Sequence, residues 1–167
     1  MHFVRYILFV ILIVLFVPVA NLPAAEIAPH DAAALAGIKE GRAIFDVRTN
    51  SPKALLFILK VIEQTEKEMS AQGVEPDFIL SFRGGTLPLL TQNPKTKNDS
   101  ESAILEEVRE RLKAMRSRGM VLEACHVAAG IFKVKREDLA DDLIMIGNSL
   151  ISLIGYQSKG YVLVPMY

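Results

Sequence analysis

Short apolar runs separated by helix-length amphipathic stretches recur from residue 43 to residue 164, and this alternation narrows the fold more than any other feature of the chain. The runs are Ala43–Val47, Phe78–Phe82, Met120–Ala124, Leu143–Ile146 and Tyr161–Val164, each short enough to be a strand. Between the first two, Ser51-Pro52 supplies a helix N-cap followed by proline at the first helical position, and Leu55, Ile58, Leu59, Ile62 and Met69 recur at helical spacing up to a stop at Gly73. Gln92 to Ser102 is polar and reads as a loop; Ile104, Leu105, Val108, Leu112 and Met115 then mark a second amphipathic helix, ended by Gly119. Val127 to Phe132 is a short helical turn, and Gly147-Asn148 caps a helix from Ser149 to Gln157. Strands joined through helices of this length need crossover connections, which predicts a three-layer α/β/α domain over residues 41–167 with a mainly parallel five-stranded sheet.

The 167 residues are 51% hydrophobic, more than one such domain requires, and the excess lies at the N-terminus. A basic start, Met1 to Arg5, precedes an almost unbroken apolar run from Tyr6 to Ala20. Residues 1–25 therefore read as a signal peptide or a retained N-terminal membrane anchor, residues 26–40 as a linker or arm, and the domain as exported, to the periplasm in a cell with two membranes. Contact with a membrane is expected only through this segment. Nineteen basic residues balance nineteen acidic ones, so charge gives no argument for a nucleic-acid partner.

In open α/β sheets, ligands sit beyond the carboxyl ends of the strands. Three stretches qualify: Asp46 to Thr49, Phe82 to Thr86, and Cys125 to Val127. Cys125, the one cysteine, falls at a strand-to-helix junction, where unpaired backbone N–H groups favour a thiolate, and a protonated His126 close to the sulfur would act in the same direction. The competing reading is a buried, inert thiol. Arg83-Gly84-Gly85 forms either an anion-binding turn, with Arg83 as its fixed charge, or only a tight strand exit. No cysteine or histidine cluster has metal-ligand spacing; G-x-G-x-x-G, the P-loop pattern and C-x-x-C are all missing, so neither a metal nor a cofactor is expected. The helix from Ser149 to Gln157 carries Leu150, Ile151, Leu153, Ile154 and Tyr156, leaving it little polar face. It is either sunk in the monomer core or part of a homo-oligomer contact.

Three segments, FILSFRGG at Phe78–Gly85, Glu123-Ala124-Cys125 at a strand end, and Tyr156-Gln157-Ser158-Lys159-Gly160-Tyr161 before the last strand, make the region from Ala43 onward resemble the DsrE/DsrF-like sulfur-relay family. The resemblance implies a parallel-sheet α/β domain assembled as a trimer or hexamer. It makes Cys125 a persulfide carrier, with Arg83, Gly84 and Gly85 as part of the wall around it. An export segment departs from the better-known cytoplasmic members and puts a cytoplasmic sulfur donor and a tRNA-directed relay out of reach. Two functions follow: a periplasmic sulfur carrier or sulfurtransferase exchanging sulfur with a small sulfur compound or a partner thiol protein, or a non-catalytic oligomeric binding or assembly module of the same fold.

Overall fold

Successive residues of a strand face opposite sides of a sheet, so the alternation within each strand decides what each face can bury. The computed structural model of the chain describes residues 30–167; the expected signal or anchor at residues 1–25 and the first part of the arm lie outside the described residues. Strand β1 (Glu40–Val47) is the pivot of a five-stranded, all-parallel sheet that also contains β2 (Glu75–Phe82), β3 (Val121–Cys125), β4 (Ile144–Ile146) and β5 (Val162–Met166), in the order β4-β3-β2-β1-β5. The three-layer α/β/α arrangement expected from the sequence is present.

On one face, Ala43, Phe45 and Val47 of β1, Phe78, Leu80 and Phe82 of β2, and Leu122 and Ala124 of β3 form the main core. Two long helices cover it. Helix α2 (Pro52–Ala71) contributes Leu55, Ile58, Leu59 and Ile62, and helix α3 (Asp99–Ser117) contributes Val108, Leu112 and Met115. The start of α2 follows the capping rule: the Ser51 hydroxyl accepts the Ala54 N–H at 3.3 Å, with Pro52 at the first position. Beyond its end, Gly73 adopts φ +81, which a side chain would disfavour. Along their outer flank the two helices are laced by ion pairs: Lys60 with Glu107 at 3.0 Å, Arg118 with Glu66 at 3.0 Å, and Arg111 with Glu63. Arg118 is thus tied across the helices, to Glu63 as well as Glu66.

The opposite face is thinly covered. Among the described residues only helix α5 (Ser149–Ser158) is seen to cross it, burying Leu153 against Ile44 and Ile79. Its other branched residues, Leu150, Ile151 and Ile154, stay exposed, so this helix is not sunk in the monomer core. A short helix, α4 (His126–Phe132), follows β3 and packs against the 3-10 turn Gly84–Leu90 that follows β2.

Several stretches differ in detail from the expectation. The arm contains one turn of helix, α1 (Ala32–Leu35), where Asp31 N–H donates to Gln72 Oε1 at 2.9 Å. The polar loop from Gln92 ends early, because Asn98 is itself a cap: its Oδ1 accepts the Glu101 N–H at 3.0 Å and starts α3 at Asp99. β1 and β2 begin earlier than their apolar runs, since Glu40 pairs with Glu75 and the ladder continues past the last apolar residue into solvent.

Two substitutions separate packing from capping in α2. Leu59→Ala, at a fully buried site, is expected to lower unfolding free energy by roughly 2–5 kcal/mol. Ser51→Ala should cost about 1 kcal/mol. Urea unfolding of both variants is the check.

Candidate functional site

A parallel sheet brings all its strand exits to one edge, and here the register makes them neighbours. Val47, Phe82 and Ala124 are paired across β1, β2 and β3, so the residues that follow them, Arg48, Arg83 and Cys125, emerge side by side. One step down, Asp46, Ser81 and Glu123 are also paired across the same strands. By strand alternation these three share the α5 face with Ile44 and Ile79, and all three are buried.

Cys125 ends β3 and is the residue just before α4. It is 3% exposed. Its direct hydrogen bond comes from the helix after the next strand: β4 lies beside β3, with Cys125 paired to Ile146, so α5 starts next to the sulfur and Ser149 N–H donates to Sγ at 3.4 Å. Burial pushes the thiol up. The Ser149 hydroxyl and N–H, aided by the Ala128 and Val127 N–H groups at the start of α4, outweigh it, and the thiol lies below its ordinary pKa. Two helix starts therefore converge on one sulfur, and only the α4 start was foreseeable from adjacency in the chain.

Arg83 is held in a fork. Its Nε and one terminal nitrogen donate to the two Asp46 carboxylate oxygens, each at 2.6 Å, and this pairing holds the guanidinium above its ordinary pKa; the Cys125 sulfur acts on it in the same direction. Arg48 lies on the outer side, 4.0 Å from Asp46, with its guanidinium 4.2 Å from the centre of the Tyr167 ring. Two cationic groups thus face one carboxylate at this edge. The two glycines serve the turn: Gly84 adopts φ +62, and a side chain at Gly85 would come within 3.1 Å of Asn50 Cβ. Thr86 locks that turn to the end of β1, accepting the Thr49 N–H at 2.8 Å and donating to the Thr49 carbonyl at 2.9 Å. His126, the first residue of α4, is exposed to solvent.

Beneath the thiol, Glu123 accepts the Ser152 hydroxyl at 2.5 Å. Burial pushes its carboxyl above the usual range, against the pull of the Ser152 and Tyr156 hydroxyls. Ser81 Oγ, between Asp46 and Glu123 in the register, is buried with no hydrogen-bond partner. Among the described residues no group of three or more His, Cys, Asp or Glu side chains is placed to hold a metal ion.

The arrangement supplies a thiol with a lowered pKa, arginines at the strand edge beside it and a nearly closed surrounding, which is the chemistry of a nucleophilic thiolate. Of the residues singled out from sequence, Cys125 and Arg83 come together at this edge, while Gly84 and Gly85 shape the turn next to it. Arg48, Ser149 and Glu123 were not assigned roles. Arg48 lies inside a stretch already marked by its position after β1. Ser149 becomes visible only once β4 is known to lie beside β3.

Comparison with known proteins agrees with this architecture. Two solved structures share the fold. Against a protein of unknown function, MTH1491, from Methanobacterium thermoautotrophicum, the TM-score is 0.60 at 10% identity, covering 75% of this chain and 98% of that one. Against the ychN protein from E. coli it is 0.51 at 12% identity, covering 77% and 98%. No curated protein matches the sequence significantly. The model of the DsrE/DsrF-like family matches residues 42–165, from the third residue of β1 to the penultimate residue of β5, and the chain belongs to that family.

Proposed function

We propose that the protein is an exported sulfur carrier, acting in the periplasm, that holds sulfane sulfur as a persulfide on Cys125. The observation that carries this reading is the convergence of the Ser149 N–H and the α4 start on a buried thiol whose pKa is lowered, in a chain of the DsrE/DsrF-like family. With thiosulfate as donor, the Cys125 thiolate attacks the outer sulfur; a sulfur–sulfur bond forms at Cys125, the donor's own breaks, and sulfite leaves with the bonding pair. A second thiolate then attacks the outer sulfur of the persulfide, and Cys125 leaves as thiolate. Neither step needs an outside oxidant or reductant. Arg48 and Arg83 supply the positive edge that draws the anion in.

A second reading has its own support. A sulfur that is 3% exposed, beside a helix that leaves Ile151 at 69% and Ile154 at 65% exposure, also fits a binding or assembly module in which the thiol is inert. In either case α5 is the surface through which a homo-oligomer, a trimer or hexamer, would form.

Three measurements test these readings. Mass spectrometry of protein isolated from its native envelope, before and after thiosulfate, should show reductant-labile sulfur on the Cys125 peptide and an intact mass that fixes the mature N-terminus. Cys125→Ser should lose the added sulfur completely, and loading that survives in the variant would falsify the carrier reading. The rate of Cys125 alkylation should rise with pH through a midpoint below that of an ordinary thiol, because the lowered pKa puts more thiolate at neutral pH. A thiol that resists alkylation across that range would favour the assembly module. Sedimentation should give a mass above that of one chain, falling to the monomer in an Ile151→Glu, Ile154→Glu double variant.

A further inference from the structure

Helix α5 has little apolar burial to fix its place on the sheet. Its buried residues are Ser149 and Leu153, with Tyr156 partly buried against the same cluster, and so short an apolar row resists lifting better than it resists sliding. Polar contacts add to that hold, two of them direct hydrogen bonds to β3, with the Tyr156 hydroxyl also acting on Glu123. Ser149 N–H meets Cys125 Sγ at 3.4 Å, and one turn later the Ser152 hydroxyl donates to Glu123 Oε2 at 2.5 Å. Ser149, Ser152, Leu153 and Tyr156 fall on one side of the helix, while Glu123 and Cys125, two apart on β3, fall on one side of the strand. Contacts at two points along both elements set the slide and the rotation together. Glu123 makes no ion pair with Lys, Arg or His among the described residues, although it is buried, a place where an apolar side chain would cost less.

We propose that Glu123 is a positioning residue for the thiol: by holding Ser152 it seats helix α5 so that the Ser149 N–H meets the Cys125 sulfur. This rests on reading Cys125 as the reactive thiol and is independent of what that thiol carries. Ser152→Ala removes the direct Ser152 bond and Glu123→Ala removes the Tyr156 contact as well; Glu123→Gln keeps an oxygen that accepts the Ser152 hydroxyl.

The test is the pH profile of Cys125 alkylation together with hydrogen exchange at the Ser149 amide, read by NMR. The midpoint of the profile is the informative quantity, since a loosened α5 also raises the plateau rate. In Ser152→Ala and Glu123→Ala the midpoint should move to higher pH, with about fivefold less thiolate at pH 7, the loss expected for one hydrogen bond. Ser149 exchange should quicken in both, and Glu123→Gln should keep both properties near the parent values. An unchanged midpoint and unchanged Ser149 exchange in Ser152→Ala overturn the proposal. So does a midpoint that moves down in Glu123→Gln while Ser152→Ala leaves it in place, which would mean that Glu123 acts through its charge. Should Glu123→Ala fail to fold, Ser152→Ala, which removes one hydroxyl, still decides. Loss of sulfur loading with an unchanged alkylation profile counts against the carrier function alone.

Discussion

Parallel pairing of β1, β2 and β3 in a single register is the constraint from which the rest of the molecule follows. Each strand leaves the sheet at the same edge, and each loop or helix that follows must start there. The register places Arg48, Arg83 and Cys125 in one row and Asp46, Ser81 and Glu123 in the row beneath, so chemistry and its support are stacked on one face. A slip of one residue in β3 would turn Glu123 toward the main core and bring Leu122 and Ala124 to the α5 side. The apolar alternation of Leu122 and Ala124 against α2 and α3 therefore fixes which way Glu123 points.

The two faces of the sheet are built for different ends. The α2/α3 face buries most of the core, including the edge-to-face pair Phe45 and Phe78 at 5.1 Å, and carries most of the stability. The α5 face carries the polar residues. Asp46 is tolerable there because Arg83 grips both of its oxygens, and Glu123 because Ser152 and Tyr156 offer hydroxyls. A thick apolar layer over this face would have to bury those groups further from water. One short helix with hydroxyls on its inner side meets the sheet without doing so.

Much of this was legible in the sequence, and what was not has physical reasons. The helices announced themselves through Leu55–Ile62 and Leu105–Met115 because a long amphipathic stripe is a repeated signal, and Ser51-Pro52 marked a start that the structure keeps. The start of α3 was placed late because Asn98 and Glu101 sit in a run of polar residues that looks like any surface loop, and only their hydrogen bond separates a cap from a coil. Cys125 was found because strand exits are where such folds place ligands. Ser149 was not connected to it, since the two are 24 residues apart and meet only through the pairing of β4 with β3. The Arg83–Asp46 fork was hidden in the same way: no local pattern says that a strand-end arginine will find a carboxylate 37 residues earlier.

The thin layer also bears on how a buried sulfur reacts. Local opening costs least where few apolar contacts must be given up, and α5 buries fewer apolar residues than α2 or α3. Lifting the first turn of α5 withdraws the Ser149 N–H from the sulfur and weakens the bias toward thiolate. That part of the activation of Cys125 is thus lost on the α5 side, whereas the Val127 and Ala128 N–H groups of α4, which directly follows β3, stay with the sulfur however α5 moves. The two helix starts thus share the activation of one thiol, and only one of them depends on how α5 is seated.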